Sequence, residues 1–348
     1  MALTPGEIYF VREADYLTKK LTPYVKIGLV REAEFRDSTN RILEHQTGNP
    51  RTLSAPDVVK TAMVERIETL LHGLFATSRI EGEWFYLEDD RLADAIKTAQ
   101  TFAAEADAAY PFFERAEALK DNLASEDALP ATDELKALHA EWLIADASTA
   151  ELTKTEKRVR EAFREAFEQN EPVAGAARAV AVKGAKRFDE PGFKAKYPEI
   201  YAEFLETISK QTGSFLPTRA KGNEDIAQYL ADKVQPLIAE IDAVFVAIEA
   251  GTKAKADLNG PYLVVLETLA LAEWNKDVAE MKLRVACGIH KGIEGICKWD
   301  RIMKETEKLD KPGLTVAHPD LVAEFTVETE GRQAVHVAPR IAAGESVD

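Results

Sequence analysis

The chain has 348 residues, 46% of them hydrophobic and 30% charged, with a net charge of −16. That length and balance predict a globular protein of two or three domains with much helix. They exclude a membrane-embedded protein, because no stretch approaches the roughly eighteen uninterrupted apolar residues of a span. The opening Met1–Glu7 lacks a basic segment followed by an apolar one, so the expected location is the cytoplasm. Acidity argues against broad nonspecific nucleic-acid binding, which basic surfaces drive, but leaves room for a local site. Residues 1–95 carry 12 Lys/Arg against 16 Asp/Glu, and neither that part nor the remainder is basic.

In chain order, Glu7–Arg12 and Tyr24–Arg31 are rich in β-branched and aromatic residues, and the polar Glu13–Thr22 separates them. They read as a hairpin with a long loop. Asp37 or Ser38 caps a short helix to about His45, stopped by Gly48-Asn49-Pro50. A third strand follows at Asp57–Lys60. Thr61 then starts a helix whose apolar stripe is Met63, Ile67, Leu70, Leu71, Leu74 and Phe75. Trp84-Phe85-Tyr86 closes the unit as a short strand or a packing plug. The fold class expected is α+β: a small three-stranded antiparallel sheet with flanking helices over residues 1–91, then a long all-α region over 92–310.

Beyond Asp90 the composition shifts to Ala, Glu, Lys and Leu, with helices expected at about 91–123, 132–169, 197–211, 223–250 and 261–308. Asn259-Gly260-Pro261 starts the last of these. Such lengths suit an elongated bundle or coiled-coil arms, and hence self-association as a homo-oligomer. Lys183–Lys196 concentrates five basic residues against two acids and reads as a solvated loop, or as a phosphate-backbone contact. Residues 311–348 read as a tail, with a hairpin of Glu324–Val327 and Ala334–Val337 around Gly331. No internal repeat stands out. Cys287 and Cys297 are expected on different faces of one helix, as reduced thiols and without zinc-site spacing.

The chemistry-bearing residues concentrate in the first eighty-five. Strands leading to Tyr9 and Lys26 can bring both side chains together if register and face agree. Arg41 and His45 lie four apart on one helical face, as do Glu68 and His72 on the next helix. A hard cation such as magnesium needs oxygen ligands and keeps several waters, so one carboxylate plus substrate phosphate oxygens suffices. Glu65, three residues before Glu68, is the competing carboxylate. Arginine offers a fork of donors to charge building on a phosphate. Tyr9 reads as base or nucleophile positioner, its pKa lowered by Lys26 and the metal, with His45 or His72 taking the proton onward.

Five pieces in order, Gly6-Glu7-Ile8-Tyr9, Lys26-Ile27-Gly28, Arg41-Ile42-Leu43-Glu44-His45, Glu68-Thr69-Leu70-Leu71-His72 and Gly82-Glu83-Trp84-Phe85, resemble the GIY-YIG nuclease superfamily over residues 6–86. The likeness is to a phage and bacterial branch with a Lys-Ile-Gly second motif and a terminal Gly-Glu-Trp-Phe. The resemblance implies a three-stranded sheet flanked by helices, dependence on Mg or Mn, and hydrolysis of DNA. By position it implies that Tyr9 is the first-motif tyrosine, Arg41 the helix arginine and Glu68 the metal-binding glutamate. Lys26 stands where many relatives have a second tyrosine, and Glu7 displaces the usual first glycine.

The function expected is therefore a metal-dependent DNA endonuclease, with phage restriction or phage DNA processing as its setting by family analogy. The alternative is a catalytically inactive nucleic-acid-binding or assembly protein dominated by its helical region.

Overall fold

A computed structural model describes residues 3–337, apart from 33–36, 48, 50, 172, 174 and 220–222. Strand β1 (Gly6–Ala14) pairs antiparallel with β2 (Leu21–Arg31), with Tyr9 opposite Gly28 and Val11 opposite Lys26. Helix α1 (Ser38–Gln46) begins at Asp37, whose side chain accepts from Asn40 N while the Asn40 side chain caps in return. Gly48 and Pro50, expected to stop it, lie outside the described residues; within them the helix gives way at Thr47. Strand β3 (Thr52–Thr61) lies on the far side of β1. It is longer than Asp57–Lys60, and helix α2 (Val64–Leu74) starts later than Thr61. Asp107 is the reason, because its carboxylate accepts from Thr61 Oγ1 and Ala62 N at 3.2 and 2.8 Å and holds both extended.

After a 3₁₀ turn, β4 (Arg79–Glu81) and β5 (Trp84–Tyr86) complete a sheet ordered β3-β1-β2-β5-β4. Five strands replace the expected three, and Trp84–Tyr86 is a paired strand, with Lys26 opposite Trp84. Because β5 covers only Tyr24–Lys26, the C-terminal half of β2 keeps an open edge.

Helix α3 (Asp89–Leu119) lays a stripe of small residues, Ala95, Ala99, Ala103, Ala106 and Ala109, into the same core as Ile8, Phe10, Ile27, Ile67 and Phe85. A long α4 (Asp133–Glu168) follows, capped by Thr132. Where helix 197–211 and then only helices and a tail were expected, the chain makes β6 (Ala177–Val182), β7 (Lys186–Phe188), α5 (Glu190–Lys196), α6 (Pro198–Glu203), β8 (Leu205–Thr212) and β9 (Leu216–Pro217). Then come α7 (Glu224–Lys233), α8 (Gln235–Glu249) and α9 (Asn259–Cys287), and α4, α8 and α9 bury Val159, Phe163, Ile241, Tyr262 and Val265 between them.

The expected helix 261–308 ends at Cys287, where Gly288 turns to φ +58°. Short β10 (Gly292–Ile293) and β11 (Cys297–Lys298) return the chain, so the two free cysteines meet in one buried cluster with their thiols hydrogen-bonded, rather than on separate helix faces. After β12 (Ile302–Leu309), the described part of the expected tail forms α10 (Lys311–Ala317), α11 (Pro319–Glu324), β13 (Thr326–Glu328) and β14 (Arg332–Val337). Its last two strands do not form a hairpin with each other. β13 pairs with β7, and β14 with β6.

That pairing exposes an internal repeat. Asp-x-Pro-Gly followed by Pro-x-x-x-Ala-Glu-Phe occurs from Asp189 to Phe204 and again, 121 positions later, from Asp310 to Phe325. The copies embrace about a pseudo-twofold axis: Ala177 faces Val337, Phe188 faces Thr326, Leu205 faces Leu309 and Leu216 faces Lys298 in one unbroken register. Asp189 N donates to Phe325 O at 2.7 Å and Asp310 N to Phe204 O at 2.8 Å. The shared core takes equivalent residues from both, Phe188 with Leu309, Phe193 with Leu314 and Tyr201 with Val322. The basic segment Lys183–Lys196 lies in this unit, with Lys196 paired to Glu324 at 2.5 Å.

Among the described residues no helix is long and apolar enough to cross a membrane.

Candidate active site

Strand alternation separates the two faces of the sheet. Ile8, Phe10, Val25 and Ile27 pack toward α2, and Tyr9 and Val11 lie on the other face with Leu53, Ile42 and Trp84. Tyr9 sits across from Gly28, and its ring lies directly over that residue. A Cβ there would come within 2.5 Å of the phenol oxygen, so the glycine of Lys-Ile-Gly is the space the tyrosine occupies.

Helix α1 covers this face and is tied at both ends. Glu7 Oε2 accepts from Ser38 N at 3.0 Å, and Gln46 Oε1 accepts from Leu53 N at 2.8 Å. The i, i+4 pair Arg41 and His45 is thereby turned toward Tyr9. His45 Nε2 lies 3.4 Å from the Tyr9 hydroxyl and 3.4 Å from Lys26 Nζ. The Arg41 guanidinium hydrogen-bonds the phenol and also holds Glu44 at 2.7 Å.

Tyr9, Arg41 and Glu68 share one cavity of about 390 Å³ at the open edge of β2, together with Arg31 and Glu83. Glu65, the competing carboxylate, does not line the cavity and is held by the cavity's Arg31 at 2.5 Å. His72 does not join them. One turn after Glu68 it has rotated beneath the sheet, where its Nε2 contacts Ile27 O at 2.9 Å, its ring packs on Phe85, and it lines a separate cavity against α9. The i, i+4 spacing kept both side chains on one helix face, but that face spans two surroundings.

Two acidic residues of the motifs have distinct settings. Burial, reinforced by the nearby Glu83 carboxylate, pushes the Glu68 carboxyl up to about 7. Glu83 is held below the ordinary glutamate range: burial would raise it, but its hydrogen bond and ion pair with Lys26 at 2.8 Å prevail. Burial and the Lys26 and Arg41 charges lower the His45 pKa, so its imidazole is neutral at pH 7 and able to accept a proton. The chain's own groups do not supply the depression expected at Tyr9 from Lys26 and a metal together. Burial raises the phenol's pKa, Glu83 and Glu68 add to the rise, and the Arg41 hydrogen bond opposes it without overcoming it.

Glu83 and Arg31 are site residues that sequence reasoning missed. Glu83 stands within Gly-Glu-Trp-Phe, and the available signal was its position beside Trp84, the residue that pairs with Lys26. Among the described residues no cluster of three or more His, Cys, Asp or Glu could hold a metal ion. The donor set still fits one hard divalent cation, since Glu68 presents carboxylate oxygens to a cavity with room for waters and phosphate oxygens to complete the shell.

Compared with known families, residues 6–100 match the model of the T5orf172 domain. Neither the curated proteins nor the solved structures gave a match.

Proposed function

We propose that the N-terminal lobe is a metal-dependent endonuclease site that hydrolyses DNA phosphodiesters, a GIY-YIG-type centre in a phage-associated, nuclease-like T5orf172 domain. The observation that carries the reading is the convergence of Tyr9, Arg41 and Glu68, from a strand and two helices, on one cavity. Glu68 would hold a magnesium or manganese ion, which when bound would supply Lewis acidity toward the phosphate and a more acidic water.

The chain's own residues do the rest. Arg41 exchanges part of its contact with Glu44 for a nonbridging phosphate oxygen, where the charge grows as the nucleophile adds. Tyr9 orients the attacking water, and the neutral His45 imidazole takes the proton released through the phenol. Water adds to phosphorus, one P–O ester bond breaks, and the departing oxygen takes a proton from solvent water while His45 returns its own to solvent. The phenol has His45 Nε2 within 3.4 Å as its proton acceptor.

The test is nicking of supercoiled plasmid with magnesium or manganese. Glu68→Gln should abolish metal-dependent cutting while the protein stays folded, and undiminished cutting by that variant would remove Glu68 from the mechanism. Lys26 in place of a second tyrosine, together with the acidic balance of −16, motivates a second reading, an inactive module that recognises nucleic acid or a protein without cutting. In the same assay it would retard the plasmid and leave it intact.

A further inference from the structure

Lys26 is an enclosed ammonium, its side chain 13% exposed, behind a cavity whose lining includes two carboxylates. A lysine chain has four rotatable bonds and carries a strongly hydrated point charge, so burial leaves it seeking a counter-charge. Two candidates face the cavity, Glu68 and Glu83. The chain gives it Glu83.

The delivery of Glu83 is built into the backbone. Gly82, at φ +57°, turns the chain between β4 and β5; Glu83 O then accepts from Ile27 N at 3.0 Å; and the next residue, Trp84, pairs in register with Lys26. The carboxylate therefore arrives beside Nζ, 2.8 Å away, with the other side of the ammonium 3.4 Å from His45 Nε2.

We infer that Glu83 is a positioning residue of the nuclease site: it holds the Lys26 ammonium beside His45 and away from Glu68, leaving the Glu68 carboxylate open to the metal. The inference rests on the nuclease reading above and adds a division of labour between the two carboxylates. Glu68 already feels the Lys26 charge, which opposes the rise of its pKa, so without Glu83 it is an anion open to the lysine, and an ammonium there competes directly with a divalent cation.

The experiment measures manganese binding by calorimetry and single-turnover plasmid nicking for the full chain and for Glu83→Gln, Glu83→Asp, Lys26→Met and the Lys26→Met/Glu83→Gln double variant, each first checked for an unchanged thermal transition. Glu83→Gln should weaken manganese binding by about tenfold or more, as the freed lysine occupies Glu68. The double variant should bind manganese within about threefold of the parent, because the competitor is gone. In nicking, either single variant should lose rate, the double should be no slower than the worse single, and Glu83→Asp should recover part of the rate.

Equal manganese affinity in Glu83→Gln and the parent would overturn the inference. So would a double variant as weak as Glu83→Gln, which would make Glu83 a ligand in its own right. If Glu68→Gln abolishes manganese binding and cutting while Glu83→Gln leaves both intact, only this inference falls. A parent that neither binds manganese nor cuts takes the nuclease reading with it.

Discussion

Glu68 is under two opposing demands. The folded chain holds its proton to about pH 7, whereas an unfolded glutamate releases it near the ordinary 4.5. Between those values the native state binds more protons than the unfolded state, so stability falls as pH rises from about 4.5 to 7. A neutral amide at this position removes that penalty. Glu68→Gln should therefore be more stable than the parent at pH 8 in chelator, by on the order of 1 kcal/mol once solvent screening of a half-buried group is allowed for. At pH 4 the two should melt together. Thermal unfolding at both values checks this, and a difference that persists at pH 4 would assign the effect to packing instead of charge. The gain in stability would accompany loss of cutting, the usual trade at a site whose charge is destabilising until its ligand binds.

The residue scale also shows why the glycine of Lys-Ile-Gly matters. Gly28→Ala would drive a methyl into the Tyr9 ring, and overpacking of that kind costs about 1–3 kcal/mol. The expected outcome is a lowered melting temperature together with slower nicking, since relief of the clash moves the phenol off His45. Unchanged nicking would mean that the position of the phenol is unimportant. The grouping of Tyr9, Arg41 and Glu68 was implied by the family resemblance, since strand alternation and helix spacing are local rules that relate residues only within one element. The place of His72 was not legible, since it depends on where α9 covers α2, and the part played by Glu83 depends on a turn whose geometry leaves little trace in periodicity.

At the scale of elements, the helices α3, α4 and α7–α8 follow from apolar spacing and capping residues, and the α+β class with an antiparallel N-terminal sheet follows from the first eighty-six residues. The ribbon of β8 and β12 escaped because its residues are largely polar and exposed, which removes the alternation that marks a half-buried strand, whereas the strands expected at Glu324–Val327 and Ala334–Val337 overlap β13 and β14 but pair with other partners. Gly288, Gly292 and Gly295 were the readable sign that α9 stops early. The repeat was hidden differently. Its two copies pair with each other across the intervening α7–α9, so neither has a self-contained pattern, and the copies share few residues beyond the turn signature.

The pseudo-twofold makes a quantitative demand. Asp189 accepts from Gly192 N at 3.1 Å, and Asp310 accepts from Gly313 N at 3.0 Å. Asp189→Ala and Asp310→Ala should each lose about 1 kcal/mol, the ordinary value of a helix cap, and by similar amounts. Urea unfolding followed by hydrogen exchange at 177–217 and 297–337 would measure it. A loss confined to one copy would show that the two halves are not energetically equivalent.

The whole molecule joins its sheet lobe to its long helices through one continuous core rather than a linker. Trp274 of α9 belongs to the same apolar cluster as Ile8, Ile27 and Phe85, and the alanine stripe of α3 lies between them. Gly73 lets α2 approach α9 so closely that an added Cβ would fall 2.3 Å from that of Ala270. Polar ties flank the contact: Arg66 with Asp277 at 2.6 Å, and Thr77 Oγ1 donating to Glu267 at 2.5 Å. A fragment of residues 1–91 would keep the site residues but expose Ile67, Leu70 and Phe85 where α3 and α9 had covered them. Such a fragment, by length alone, is near the size at which a single core becomes marginal. We expect it to unfold without a cooperative transition and to bind a hydrophobic dye, whereas a fragment extended through α3 should recover part of the transition and lack only the contribution of α9. Circular dichroism with thermal melting separates these outcomes, and a sharply melting 1–91 fragment would show that the lobe is a domain in its own right, with the helices attached to it and not completing it.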